Sequence, residues 1–392
     1  MAPIWILFLT VFLDLVGFGI VIPLLPLYAE RFGATPVAVT CLVAIYSLMQ
    51  FFFAPWWGRL SDRRGRRPVL LVGLFGSAIS YLIFGLAGSL LMLFLARALA
   101  GFMGANIGVA QAYVADVTPD EGRAKGMGMI GAAFGLGFIF GPALGGVLAT
   151  FGPSVPFFGA AAVTAANGAL AIFWLPESLR PEVAKRARNA TPPGVLGRLR
   201  SLVVSGGPRA RKLYGVFFLV TFAFAALEAT LSLWADRRWS LTPSQVAYMF
   251  AYLGVVVTIV QGGLVGPLAR RLGERRLAVV GGVALGIGLA GIPLARSFLE
   301  LAIVLATLAL GQGLVVPALS TLISREAHSG EHGSLLGVSQ SLSALGRVLG
   351  PVWGGIAFAR IGHGAPYFSG ALVVGIALAV MLAAFTPVGA TR

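Results

Sequence analysis

The chain has 392 residues, of which 58% are hydrophobic and 11% are charged, whereas an ordinary soluble domain has about 25% charged residues. So much apolar side chain cannot be hidden inside one soluble core of this length, which excludes a soluble globular protein. The formal net charge of +15 would suggest nucleic-acid binding in a soluble chain. Because the basic residues lie between apolar segments, we expect no nucleic-acid partner.

Twelve apolar segments follow one another along the chain, and each is near the ~20 residues that cross a bilayer as a helix. The first six predicted helices are 4–29, 37–58, 68–88, 90–115, 124–149 and 155–175. The other six are 212–235, 243–268, 276–295, 298–323, 333–358 and 365–386. The first begins without a basic segment before it, so we expect a retained helix and not a signal peptide.

The segment 176–211 is the one long break, with scattered basic residues and prolines and no sustained apolar period. We therefore predict an all-α membrane protein with twelve transmembrane helices in two pseudo-symmetric six-helix bundles. The predicted domains are an N-terminal bundle at 1–175, a cytoplasmic linker at 176–211 and a C-terminal bundle at 212–392.

The loop between the second and third predicted helices reads GRLSDRRGRR from Gly58 to Arg67. Short loops rich in Lys and Arg stay on the cytoplasmic side. With an even number of spans, both termini are then cytoplasmic, and we expect a multi-pass protein of the plasma or inner membrane. The basic residues also favour contact with anionic membrane lipids. As a separate expectation, we predict a monomer.

Two short motifs occur in both halves at nearly one offset. Gly58–Gly65 is echoed by Gly266–Gly273, and Gly141–Gly146 is echoed by Gly350–Gly355. Duplicated bundles that rock about a site at the middle of the membrane are typical of secondary transporters. Chance similarity of glycine-rich helices is the alternative.

No phosphate-binding GxxxxGK[ST] motif, HExxH, CxxC or GxSxG occurs in the sequence. A single cysteine, Cys41, excludes a disulfide framework. We therefore expect no enzyme activity, no metal and no cofactor. The energy for transport then comes from a proton gradient or from the gradient of the small-molecule substrate itself.

The sequence resembles the major facilitator superfamily, in particular its twelve-helix drug/proton antiporter branch. The resemblance rests on the Gly58–Arg67 loop, on Asp14–Pro26 in the first helix, on Arg97 with Gly101 and Gly104, and on Gly141–Gly146. Tyr46–Gln50 and Gly108–Asp116 are similar to bacterial tetracycline/proton antiporters. Those antiporters have acidic residues in the third and ninth helices, where this chain has Ser80 near Tyr81 and the uncharged run 277–295.

Ionisable residues inside the spans are candidates for function, because burying a charge in a bilayer is costly. Asp14 lies about ten residues into the first helix, roughly 15 Å deep, and is predicted to bind and release protons. Glu228 is a candidate second protonation site. Arg97 remains charged and is predicted to help proton release from Asp14. Alternatively, Asp14 pairs with a cationic substrate, or is locked to Arg97 or to a neighbouring helix. The alternative for Arg97 is a helix-packing anchor bonded to backbone carbonyl groups.

Uncharged polar side chains inside the spans either line a wet cavity or tie helices together. The residues predicted to line the substrate cavity are Gln50, Asn106, Gln111, Gln261, Gln312 and Arg347. Alternatively, Arg347 reaches a carboxylate of the cytoplasmic gate. Asn106 and Gln111 are five residues apart and cannot both point squarely inward.

The arginine loop is predicted to be part of a gate. Asp62 can accept hydrogen bonds from a helix N-terminus, and the family resemblance implies that this is the eleventh helix. Arg66 is then expected to pair with Asp116. The predicted gating residues are Gly58, Asp62, Arg63, Gly65, Arg66, Arg67 and Asp116. Alternatively, the arginines only set the topology.

In the fifth helix, Gly141, Pro142, Gly145 and Gly146 are predicted to serve helix packing, because proline permits a bend and glycine permits close approach. The sequence predicts a proton-coupled exporter of small amphipathic compounds. Alternatives are a facilitator or symporter of a nutrient or organic anion, and a lipid scramblase. The identity of the transported compound stays open.

Overall fold

The computed structural model describes residues 3–104, 106–118, 123–179, 207–326 and 332–385, which form helices and connecting turns without any strand. The helices of the first half are α1 (Pro3–Glu30), α2 (Pro36–Arg64), α3 (Arg66–Gly85), α4 (Leu90–Met103), α5 (Asn106–Val117), α6 (Arg123–Ala149) and α7 (Val155–Trp174). Those of the second half are α8 (Pro208–Trp239), α9 (Pro243–Ile259), α10 (Val265–Gly291), α11 (Phe298–Arg325), α12 (His332–Arg360) and α13 (Ala365–Ala384). A π-helical turn, Val260–Leu264, joins α9 to α10.

Eleven helical stretches of the described chain are long and apolar enough to cross a membrane. One of them, Pro243–Leu294, has 52 residues, and its backbone leaves helical geometry at Gly273, where φ is 75° and ψ is 156°. Because ~20 residues cross a bilayer, this stretch contains two spans. The described chain therefore has twelve spans, as the sequence predicted.

The predicted fourth helix, 90–115, corresponds to one membrane-length stretch, Leu90–Val117, within which the structure has two helices, α4 and α5, with a break at Gly104. The carbonyl group of Phe102 accepts a hydrogen bond from Nε1 of Trp57 at 2.6 Å, and that of Gly104 accepts one from Nε2 of Gln50 at 2.7 Å. A helix end leaves backbone carbonyl groups without partners, and a bilayer core offers no water to replace them. These two side chains of α2 therefore stabilise the break.

The chain forms two compact units. The first comprises Met1–Thr191 and Leu231–Val255, and the second comprises Pro192–Thr230 and Val256–Arg392. The end of α8 and most of α9 thus belong to the first unit, and the start of α8 belongs to the second. The predicted bundle boundaries stay a prediction, and residues 180–206 of the predicted linker lie outside the described residues.

The segment Leu231–Val255 packs against α1 within the first unit. The Ser232 hydroxyl group is buried and donates to the carbonyl group of Pro23 at 2.9 Å. Near the end of α1, Glu30 forms an ion pair with Arg237.

The two copies of the internal repeat have similar local geometry. Gly65 and Gly273, the last glycines of the first motif, have φ of 118° and 75°, which favour glycine over other residues. In the second motif, a Cβ added to Gly141 would lie 2.7 Å from an α-carbon of α1. A Cβ added to Gly350 would lie 3.1 Å from a side-chain carbon of α8. In each half, the helix that carries this motif thus packs closely against the first helix of that half: α6 against α1, and α12 against α8.

Candidate transport and gating sites

The Asp14 side chain of α1 lies against Asn106, the first residue of α5. Nδ2 of Asn106 donates to Oδ2 of Asp14 at 3.2 Å. Asn106 is 7% exposed, and Gly73 of α3 leaves room for it, because a Cβ at that position would collide with the Asn106 side chain. The other residues that line the small cavity around this pair are Thr10, Val11, Leu70, Leu74 and Ile107.

This pair places an ionisable group in an otherwise largely apolar part of the first unit. A single amide donor compensates the charge of a carboxylate only in part, because a hydrogen bond to a neutral group is weaker than one to a cation. The Asp14 side chain is therefore suited to gaining and losing a proton. That role stays a prediction.

The break between α4 and α5 positions Asn106. Gln50, which the sequence placed among the cavity residues, donates to the Gly104 carbonyl group two residues before Asn106. Its side chain therefore ties α2 to the break, which is the helix-tying role that polar groups also perform in membranes.

The guanidinium group of Arg97 lies against two aromatic rings. Its central carbon is 4.5 Å from the ring centre of Tyr46 and 5.8 Å from that of Phe18, and the residue is 3% exposed. Such cation–π contacts stabilise a buried cation. Phe18 lies four residues after Asp14, so both are on the same face of α1, about one turn (~5.4 Å) apart. The structure thus holds a positive charge close to the depth of Asp14, and its coupling role stays a prediction.

The remaining intramembrane candidates lie in different surroundings. Glu228 is partly buried in the part of α8 that belongs to the second unit. Gln111 and Gln261 are exposed. Gln312 is partly buried, and its amide oxygen has no hydrogen-bond partner among the described residues. Arg347 donates to a serine hydroxyl group one turn earlier on α12, at 2.7 Å. Their predicted roles in a substrate cavity stay predictions.

The predicted arginine loop is helical except at Gly65, because α2 extends to Arg64 and α3 begins at Arg66, so the predicted helix ends at 58 and 68 were wrong. In this motif, Arg66 is enclosed by two carboxylates. Its Nε donates to Oδ2 of Asp116 at 3.0 Å, and Nη1 forms an ion pair with Asp62 and donates to the Ser61 hydroxyl group at 2.7 Å. Arg66 is only 5% exposed, and charge-assisted bonds of this kind are the strong ones. The expected pair of Arg66 with Asp116 is confirmed, and it joins α3 to α5. The expected contact of Asp62 with the predicted eleventh helix, 333–358, stays a prediction. That helix corresponds to α12, which belongs to the other unit.

The other residues of the loop motif differ in their contacts. Gly65 has a φ of 118°, which explains the glycine, and Gly58 has open space where a Cβ would lie. Arg63 is exposed. Arg67 donates to the carbonyl group of Ile172 near the end of α7. The motif therefore combines a backbone turn with anchoring contacts to a distant helix.

A residue that the sequence reasoning missed lies at the centre of these contacts. The Glu177 carboxylate accepts hydrogen bonds from the backbone N–H groups of Arg66 at 2.8 Å and Arg67 at 3.2 Å. It also accepts from the N–H groups of Ser178 and Leu179, both at 2.9 Å. The first N–H groups of a helix have no partner within the helix, and an anion there is favourable. Glu177 thus caps the N-terminus of α3.

Neighbouring contacts fix the segment that carries Glu177. The Tyr113 hydroxyl group donates to the Pro176 carbonyl group at 2.9 Å, and the Ser178 hydroxyl group donates to Asp116 at 3.2 Å. This segment lies within the predicted linker, for which no contact was expected. The signal that was available is an acidic residue directly after the last apolar residues of a span.

The glycine motif of α6 forms a helix contact surface, as predicted. An added Cβ at Gly141 would lie 2.7 Å from Cα of Gly19, and one at Gly145 would lie 3.1 Å from a carbonyl oxygen of α1. An added Cβ at Gly146 would lie 2.7 Å from a tyrosine ring of α9. Pro142 lies within α6. Small residues let helices approach closely in membranes, so α1 and α6 are packed backbone to backbone here.

Comparison with known proteins places these features in a family. Residues 7–351 match the model of the Major Facilitator Superfamily. The chain is 36% identical over 349 residues to the class E tetracycline resistance protein of Escherichia coli, which covers 87% of this chain and 84% of that protein. It is 31% identical over 379 residues to multidrug resistance protein 2 of Bacillus subtilis (strain 168), covering 96% and 94%.

The solved structure of the human organic anion transporter MFSD10 (TETRAN) is also similar. It has a TM-score of 0.73 and 28% identity and covers 97% of this chain and 99% of that chain. The twelve spans, the repeated motifs and the match over most of the sequence all indicate the same family. The chain therefore belongs to the major facilitator superfamily, and it is an integral membrane transporter of small molecules and not an enzyme.

Proposed function

We propose that this chain is a proton-coupled antiporter that exports small amphipathic compounds by alternating access. The observation that carries the proposal is the Asp14–Asn106 pair, an ionisable group and its amide partner inside membrane spans. The names of the tetracycline and multidrug resistance proteins that the chain resembles support export of such compounds.

In the proposed cycle, Asp14 takes up the proton and the fixed charge of Arg97 favours its release. Glu228 is the proposed second protonation site, and the polar residues of the spans bind the substrate. The cycle needs a proton gradient and no cofactor. We further propose a monomer in the plasma or inner membrane, surrounded by lipid, with both termini in the cytoplasm.

The gate of the proposed transporter is the cluster around Arg66. Its contacts with Asp62 and Asp116 join α2, α3 and α5, and Glu177 attaches the end of the sixth span to the same place. An element with two arrangements of similar free energy is shifted by losing a few contacts that form in one arrangement. This cluster is therefore suited to bias the cycle toward one state.

One observation favours a second candidate, the transport of an organic anion. Arg97 is buried and permanently charged, and the similar MFSD10 structure is that of an organic anion transporter. In this case Arg97 binds the anionic group of the substrate.

An efflux assay separates the two candidates. Cells that express the protein should accumulate less ethidium than control cells, and a protonophore should abolish the difference. A set of labelled organic anions, tested in the same cells, measures the alternative. Ethidium accumulation equal to that of control cells, together with anion uptake that ignores the protonophore, would replace the antiporter proposal by the facilitator.

A further inference from the structure

Four elements meet at one end of the second unit. They are the start of α8, the turn at Gly273, the end of α11 and the end of α13. Arg325 of α11 forms an ion pair with Glu274 beside the turn. Arg209 of α8 forms one with Glu326, at 3.4 Å. These pairs connect the ends of helices that are far apart in sequence.

An aromatic ring at the same end holds two guanidinium groups. The central carbon of Arg209 is 4.0 Å from the ring centre of Phe385, and that of Arg275 is 4.9 Å from it. Nζ of Lys212 donates to the carbonyl group of Ala383 at 3.0 Å. Cation–π contacts hold a cation in place, and the neutral ring does not cancel its charge. The cations are thus held where the spans end.

Positive charge is in excess at this end. Glu274 and Glu326 each already pair with one arginine. Three further arginines, at 270, 271 and 276, are exposed and have no ion-pair partner within the described ranges. The basic patch is defined as Arg209, Arg270, Arg271, Arg275, Arg276 and Arg325.

We propose that the basic patch binds the phosphate headgroup of an anionic phospholipid. Because its residues lie at the ends of membrane spans, the patch is at the depth of the lipid headgroups. Long basic side chains keep their charge in that layer while their stems contact apolar surface. Arginine binds phosphate oxygens through two parallel hydrogen bonds, and each basic residue near an anionic surface adds to the attraction.

The occupant is a lipid and not a soluble anion, because the proposed site combines phosphate-binding groups with an apolar surround. Leu272 beside the turn is 38% exposed and Leu382 near the end of α13 is 46% exposed. Acyl chains cover such side chains, whereas a free phosphate ion does not. This inference requires only that the chain spans a membrane, and it is independent of the proposed direction of transport.

The test compares purified protein with a patch variant and a charge-matched control. The patch variant is Arg209→Gln with Arg275→Gln, which removes both guanidinium groups from Phe385. The control is Arg296→Gln with Arg360→Gln. Arg296 lies just before the start of α11 and Arg360 at the end of α12, both away from the basic patch. Native mass spectrometry counts bound phosphatidylglycerol and phosphatidylcholine for each protein.

Wild type and control should bind phosphatidylglycerol in preference to phosphatidylcholine. The patch variant should lose about tenfold to thirtyfold in affinity, since two charges near the surface are removed. Equal binding of phosphatidylglycerol by patch variant and control would overturn the site. Displacement of the lipid by equimolar inorganic phosphate would overturn the choice of a lipid as occupant.

A measurement on the wild type keeps the proposal testable if the patch variant does not fold. Amide hydrogen exchange is compared between nanodiscs of phosphatidylcholine alone and nanodiscs that also contain phosphatidylglycerol. Peptides that cover 208–214 and 268–278 should exchange more slowly with phosphatidylglycerol, and a peptide around Arg296 should not change. The same exchange in both nanodiscs at all three places would contradict the proposal.

Discussion

Asn106 donates a hydrogen bond to Asp14 at 3.2 Å, and α3 presents Gly73 at this point, where a larger residue would collide with the amide group. Asn106 begins a new helix directly after the break in the fourth span. Asn106 therefore connects Asp14 to the backbone break that Gln50 and Trp57 hold in place.

Replacing Asp14 by asparagine should abolish transport driven by a pH gradient while the protein still folds. The amide has nearly the same shape and can still accept a hydrogen bond from Asn106, but it cannot exchange a proton. Uptake into inverted vesicles measures this, and Glu300→Gln at an exposed carboxylate is the control. Transport at the wild-type rate in Asp14→Asn would remove Asp14 from the coupling role. Glu228→Gln is expected to cause a partial loss.

Replacing Gly73 by alanine should displace Asn106 and lower both stability and transport. The added Cβ would lie 2.9 Å from Cγ of Asn106 and closer still to its amide oxygen. Inserting a methyl group into a packed site costs ~1–3 kcal/mol. Gly108→Ala is the matched control, since nothing lies within 4 Å of a Cβ there. Thermal unfolding in detergent that is identical for the two variants would contradict the crowding argument.

A double-mutant cycle tests the cap of α3 by Glu177. Gly65→Ala should destabilise the protein for two reasons, the φ of 118° and a collision with the Glu177 carboxylate. The backbone part costs ~1–3 kcal/mol, because a φ of 118° with a ψ of 151° is a conformation that is essentially restricted to glycine. Glu177→Ala alone should lower stability, because two N–H groups of α3 lose their acceptor.

In the double variant the collision is absent, so its loss of stability should be smaller than the sum of the two single losses. Thermal unfolding of the four proteins gives the coupling free energy. Gly58→Ala in α2, where a Cβ meets open space, controls for a general effect of replacing a glycine in this motif. Strict additivity would show that Glu177 and Gly65 do not share this contact.

The gate is tested at Asp62. Asp62→Asn removes one of the two carboxylates that enclose Arg66, and contacts at helix termini contribute ~0.3–2 kcal/mol. The state closed on the cytoplasmic side should become less populated. Cysteine pairs across the cytoplasmic mouth, built on a Cys41→Ser background, should crosslink less, and transport should fall strongly. If crosslinking and transport both stay unchanged, the loop acts only as a topology signal.

The contact of α6 with α1 is tested by Gly141→Ala. The new Cβ would lie 2.7 Å from the backbone of Gly19, so the two helices have to separate. Overpacking of this kind costs ~1–3 kcal/mol. Gly131→Ala on the same helix meets nothing within 4 Å and should leave the unfolding temperature within error. A similar shift for both variants would mean that helix propensity, and not packing, decides the outcome.

The sequence determined the class of protein, the number of spans and the position of the motifs. In a bilayer every backbone polar group must be satisfied within the chain, so long apolar segments have few structures open to them. The glycine motif of α6 and the pair of Arg66 with Asp116 were also foreseeable, because their residue types require close packing and a charged partner.

Tertiary structure alone decided three features of the candidate sites. The fourth span breaks at Gly104, because Gln50 and Trp57 of another helix supply the lost hydrogen bonds. Glu177 caps α3 across more than a hundred residues of sequence, and the rings of two other helices hold Arg97. Each depends on which distant segments the fold brings together. Hydropathy and motif spacing report local preference along the chain and contain little information about such partners.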